Sequence, residues 1–185
     1  MQSVLTQLFQ STLFSALSLV CVLLFLYSTY TTYRIFFRSA RVDHEIKALG
    51  KTSAVWHLHD IRHCIKTAFQ AMQTAISQDN PSLLKNVMTQ HLYAHFELIM
   101  LNHDDHDIKE VIRRAKLHSV SIVSVEKNQD DSEDALWAYM DFSKIDFEIN
   151  RADQTLVEGR PGMLEHDKQL WKFMILLRSY EVKVG

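Results

Sequence analysis

Ten histidines lie in this chain of 185 residues, and two pairs of them, His59/His63 and His91/His95, stand four residues apart. On a helix that spacing places two imidazoles side by side, as a shared metal ion would require. Neither pair belongs to an H-E-x-x-H pattern and both fit the hydrated faces of their helices, so no metal site is expected. The run His103-Asp104-Asp105-His106-Asp107 reads as a solvated loop. Cys64 would need a partner supplied by the fold to act as a nucleophile, and reads as a structural thiol. Asp141 and Asp146 are the candidates for acid or base work, since a strand carboxyl beside an apolar pocket has its pKa displaced. There is no G-x-S-x-G, Walker loop or G-x-G-x-x-G, so catalytic residues and cofactors are expected to be none.

The composition narrows the classes further. Two cysteines, Cys21 and Cys64, cannot build a disulfide framework or a thiolate zinc site. A formal charge of −2 lacks the positive field on which non-specific nucleic-acid binding depends, and no nucleic-acid partner is expected.

The charges are unevenly placed. Met1 to Tyr33 contains no Asp, Glu, Lys, Arg or His. Within it, Leu8 to Tyr27 supplies about the 20 residues that a helix needs to cross a hydrocarbon core. Tyr27, Tyr30 and Tyr33 place amphipathic rings where an interfacial belt would sit. No basic n-region precedes the stretch and no small-x-small cleavage site follows it, which favours a retained anchor over a signal peptide. Arg34, Arg38 and Arg41, with Lys47 and Lys51, crowd its C-terminal flank. The positive-inside rule then predicts a single-pass protein, N-out and C-in, in an inner (plasma) membrane, or in the mitochondrial inner membrane if the source is eukaryotic. Ser11, Ser15 and Ser18 form a small-residue stripe that would let a partner helix approach closely, or that is simply tolerated.

Three segments follow from this: an anchor over 1–33, a basic juxtamembrane linker over 34–55, and a domain over 56–185. Five basic against two acidic residues between Arg34 and Lys51 would attract anionic lipid. In the domain, Ile61, Ile65, Phe69, Met72 and Ile76 recur at helical spacing. Asp79, Asn80 and Pro81 interrupt that helix, with Asn80 placed to cap a short one. Thr89 opens a third helix carrying Leu92, Phe96, Ile99 and Met100, and Ile108 to Ala115 reads as a turn or short helical connector. After Lys116 the period becomes two. Val120 and Ile122 favour one face and Val123 and Val125 the other, which predicts a bulge. A hairpin loop over Asn128 to Asp134 leads to a strand in which Leu136, Ala138, Met140 and Phe142 alternate with polar or aromatic partners. A short strand at Thr155 to Glu158 and a closing strand from Leu170 to Val184 complete an α+β domain, with helices packed on an antiparallel sheet. Phe69, Phe96 and Trp137 are expected to be largely buried. Val120, Ile122, Leu136, Met140 and Phe173 would line an apolar pocket between helices and sheet, or fill a solid core.

The order of these features resembles the TIM forty-four-like domain. The residues concerned are Phe69 and Ala75 before Asp79; Thr89, Leu92 and Tyr93; the strand LHSVSIVSV from Leu117; WAYMDFSKIDFEI from Trp137; TLVEG from Thr155; and LWKFM from Leu170. The resemblance covers about Trp56 to Gly185. It implies a cone-shaped, nuclear-transport-factor-two-like fold, with helices on a curved sheet around an apolar pocket. It also implies membrane-proximal scaffolding and anionic lipid contact in place of catalysis.

The function expected is a membrane-anchored, non-enzymatic interaction module, which holds a partner protein, an anionic lipid or an acyl chain at the cytoplasmic or matrix face. A structural subunit of a larger membrane complex, with a membrane protein as partner, and a small-molecule enzyme using the cone pocket are the alternatives.

Overall fold

A computed structural model describes residues 2–53, 56–127, 134–176 and 181–184. The chain is α+β and divides into two compact units, Met1–Arg38 and Ser39–Gly185.

The first unit lies on helix α1 (Gln2–Leu49). Between Phe14 and Phe37 most of its large apolar side chains, among them Leu17, Leu23, Leu24 and Phe25, are exposed. Hydroxyls in this stretch bond back to the preceding turn: Thr29 donates to the Phe25 and Leu26 carbonyls, and Thr32 to that of Ser28. Such bonding keeps a polar side chain compatible with an apolar environment, because its donor never lacks an acceptor. By length and composition α1 is able to cross a membrane.

The second unit begins inside α1, and here the expected linker gives way to structure. The segment is helical to Leu49, and Val42 and Ile46 are buried in the domain core. Gly50 ends the helix where the backbone of Trp56 passes so close that a Cβ would stand 2.9 Å from its carbonyl oxygen. Helix α2 (Leu58–Gln78) buries Ile61, Ile65, Ala68, Phe69 and Ala75, while Met72 and Ile76 stay half-buried. It ends at Asp79, held in the left-handed region with φ 55°. The Asn80 side chain then accepts from the Ser82 N–H and starts a 3-10 turn, Pro81–Leu84, as the Asn-Pro pair predicts. Thr89 caps α3 (Gln90–Asp105), which takes in His103, Asp104 and Asp105 as its last turn instead of leaving them in a loop.

The strands are β1 (Ile108–Glu126), β2 (Asp134–Asn150), β3 (Leu156–Gly159), β4 (Glu165–Leu176) and β5 (Glu181–Val184). They form one antiparallel sheet in the order β1-β2-β4-β5, with β3 paired to the far end of β2. The connector expected at Ile108 to Ala115 is the N-terminal part of β1, because β2 is long enough to pair with it from Ile108↔Asn150 to Arg113↔Ile145. The register then slips at three places along β1. One slip lies between Ile122 and Ser124, where the sequence predicts a bulge; another lies between Arg113 and Lys116 and places Arg114 at φ 53°. The single closing strand is two: β4 starts five residues earlier than expected, at Glu165, and β5 is a separate short strand. Residues 128–133 of the expected hairpin loop lie outside the described residues, and Asp134 already belongs to β2.

The core joins α1's last turns and the α2 stripe to Ile122, Leu136, Ala138, Met140, Phe142, Phe173 and Ile175. Phe69 meets Phe142 at 5.2 Å between ring centroids and Trp171 at 6.2 Å. Past Phe142, burial along β2 passes to the opposite parity, at Ser143, Ile145 and Phe147.

Candidate functional site

Four of the five residues expected to line a pocket, Ile122, Leu136, Met140 and Phe173, have no exposed surface at all, and Val120 is half-buried against them. They fill the core between α2 and the sheet. Beside it, among the described residues, lies a cavity of about 430 Å³ at the margin of β4. Met72 of α2, Leu92 and Phe96 of α3, and Met88 form one wall. Gln169, Leu170, Trp171 and Lys172 of β4 form the other, and Trp137 and Val184 complete the lining.

Each wall follows from local sequence. Thr89 fixes the start of α3 by accepting from the Leu92 N–H, and so sets Leu92 and Phe96 one turn apart on the same side. Trp171 packs on Phe69 and its indole N–H donates to the Gln169 side chain at 2.9 Å. Phe96 and Trp137, expected in the core, are half-buried because they border this space. The Trp137 indole N–H donates to Glu126 at 2.7 Å; the Lys172 ammonium lies 5.5 Å from its ring centroid and 3.0 Å from Glu126. These hydrogen bonds, Trp137 first and Lys172 second, hold the Glu126 carboxyl below the usual carboxylate range. The signal for the wall was present in the helical stripes. What sequence could not supply is that Met72 and Phe96 sit where those stripes run past the sheet's edge.

The ionisable residues fall elsewhere. Asp146 is ion-paired with Lys144 and lies beside Glu110 of β1. Burial, and next the Asp146 charge, push the Glu110 carboxyl up to about 7. Sequence reading missed Glu110, since its segment looked like a connector. Asp141 stands 3.9 Å from Lys168 as an ordinary surface pair. His118 and Ser143 are within hydrogen-bond distance at 2.9 Å, and the His118 ring stacks on His166. Cys64 is half-buried, and burial followed by the nearby Asp60 raises its thiol pKa, so the thiolate is disfavoured. His59, His63, His91 and His95 are all exposed. Among the described residues no group of three or more His, Cys, Asp or Glu is placed to hold a metal ion.

On α1, Tyr27, Tyr30, Tyr33, Arg34, Arg38 and Arg41 are exposed, and the Arg34 guanidinium lies 5.8 Å from the Tyr30 ring centroid. Ser15 and Ser18 are exposed on the same helix; the side chain of Ser11 lies outside the described residues.

No family model matches the chain, and no curated protein matches it. Among solved structures, the crystal structure of the intermembrane space region of chloroplast protein ARC6 is similar with a TM-score of 0.42 and 11% identity, over 65% of this chain and 89% of that one.

Proposed function

We propose that this chain is a membrane-anchored, non-enzymatic interaction module, inserted N-out and C-in, whose domain holds an apolar guest in the groove between α3 and β4. The observation that carries the reading is the groove itself. Its lining is mostly apolar, with Met72, Leu92, Phe96 and Trp171 beside only two polar side chains, Gln169 and Lys172, which suits a binding site whose affinity comes from contact area. The ionisable groups that could serve acid–base chemistry, Glu110 and Asp146, are not among its lining residues. The apolar helix with its one-sided arginines supports the anchor and its orientation. The motif order that resembles TIM forty-four-like domains supports a scaffold at the cytoplasmic or matrix face.

Native mass spectrometry of the full chain, released from membranes in mild detergent, tests this. A guest mass is expected on the wild type and is lost on Phe96→Glu, with the circular dichroism spectrum unchanged. A guest retained by the variant contradicts the assignment of the groove.

A further inference from the structure

The groove runs along a sheet edge whose backbone is open. β4 pairs with β2 from Glu165 to Ile175 without a slip, but β5 covers its other side only from Phe173 to Leu176. From Glu165 to Lys172 no strand lies on that side among the described residues.

Which groups face outward follows from β5. The Val184 N–H donates to the Val87 carbonyl at 2.8 Å and its carbonyl accepts from the Thr89 N–H at 2.8 Å, so both of its peptide groups point away from β4. Phe173, directly opposite, therefore turns its own groups toward β2. Alternation along an unbroken register then assigns Trp171, Gln169 and Asp167 to the β2 ladder as well. It leaves the N–H and C=O groups of His166, Lys168 and Leu170 directed at the open edge; Lys172 also turns its groups away from β2, but the register sets it opposite Gly185, which lies outside the described residues. Lysines commonly guard such edges. Here, however, Lys172 is drawn to Glu126 and the Trp137 ring, and Lys168 to Asp141.

We infer that the natural guest of the groove is an extended segment of a partner protein that pairs with β4 along His166 to Leu170, in the line of β5, and sets every second side chain, apolar, against Phe96 and Trp171. This rests on the groove reading above and specifies its occupant. An acyl chain would fill the apolar wall but leave the outward backbone groups of His166, Lys168 and Leu170 to water, whereas an added strand satisfies them and prolongs a pairing that β5 has begun. Lining drawn from both parities of β4, Trp171 with Leu170 and Lys172, is what a groove folded around a strand edge gives.

The test uses the full chain in nanodiscs. Octapeptides with apolar residues at alternate positions are selected from a displayed library, and the tightest binder is synthesised with and without N-methylation at alternate amides. The inference expects methylation in one of the two phases to weaken binding at least tenfold. Bound peptide should also protect the amides of His166, Lys168 and Leu170 from hydrogen exchange, and Leu170→Pro should weaken binding at least tenfold. Proline there removes an outward N–H and leaves the ladder to β2 intact. If neither methylation phase nor Leu170→Pro matters while Phe96→Glu abolishes binding, the strand inference falls and the apolar groove stands. If no peptide is selected and no guest mass is found on the wild type, both fall. If these three amides are protected without peptide and the chain runs as a dimer, a second copy occupies the edge and the inference is overturned.

Discussion

The Trp171 ring lies 6.2 Å from the ring of Phe69, so the aromatic floor of the groove rests on the most buried stripe of α2. Stability and binding are coupled through that contact. Phe69 is 2% exposed, and Phe69→Ala should cost about 3–5 kcal/mol, a large share of a typical stability of roughly 5–15 kcal/mol. Denaturant unfolding of the domain signal in detergent measures it. A loss under about 1 kcal/mol would show that the stripe does not pack as described.

Arg151, just past the end of β2, ties three elements together. Its guanidinium pairs with Asp79 at the end of α2 and Asp104 at the end of α3, and its Nε donates to the Ile108 carbonyl at 3.0 Å. With the side chain 31% exposed, Arg151→Ala should cost about 1–2 kcal/mol, and Arg151→Lys should recover only part of it, because an ammonium cannot fork between two carboxylates. Equal midpoints for the Lys variant and wild type would contradict this.

Glu110 gives the domain a pH dependence of definite sign. Its carboxyl is raised from 4.5 to about 7, by burial and then by Asp146, so the folded state binds the proton more tightly than the unfolded chain. That contribution is fully present below about 4.5 and is lost as the pH rises through about 7. Unfolding free energies between these limits should fall with rising pH less steeply in Glu110→Gln than in wild type. Parallel slopes would remove Glu110 as their source.

Insertion should depend on the arginines beyond the apolar stretch. Replacing Arg34, Arg38 and Arg41 with Glu is expected to loosen or reverse insertion. A reporter fused after Gly185 reads the outcome: activity confined to the cytoplasmic or matrix side in wild type, and its appearance on the other side in the variant. A wild-type reporter active only on the outer side would refute the orientation.

Periodicity exposed those parts of the fold that local rules govern. The α2 stripe, the Asn80-Pro81 turn, the Thr89 cap and the bulge near Val123 all follow from side-chain spacing or turn chemistry. Ile108 to Ala115 was not legible as a strand, since its charged, unpatterned sequence becomes β only because β2 reaches that far. The same limit applies to the groove. Apolar periodicity marks Phe96 and Phe173 alike as inward, and only the three-dimensional path of the sheet edge decides that Phe173 is enclosed while Phe96 borders open space.

The occupant of the groove in the intact membrane decides most directly between a binding site and an idle cleft. A photoreactive benzoylphenylalanine placed at Leu92, on the groove wall, or at Leu98, 64% exposed elsewhere on α3, separates the groove from general stickiness. After irradiation of intact membranes, mass spectrometry should find a discrete guest adduct on position 92, identified as peptide or lipid from its fragments, and none on position 98. The same adduct at both positions, or no adduct at position 92, would contradict a binding groove between α3 and β4.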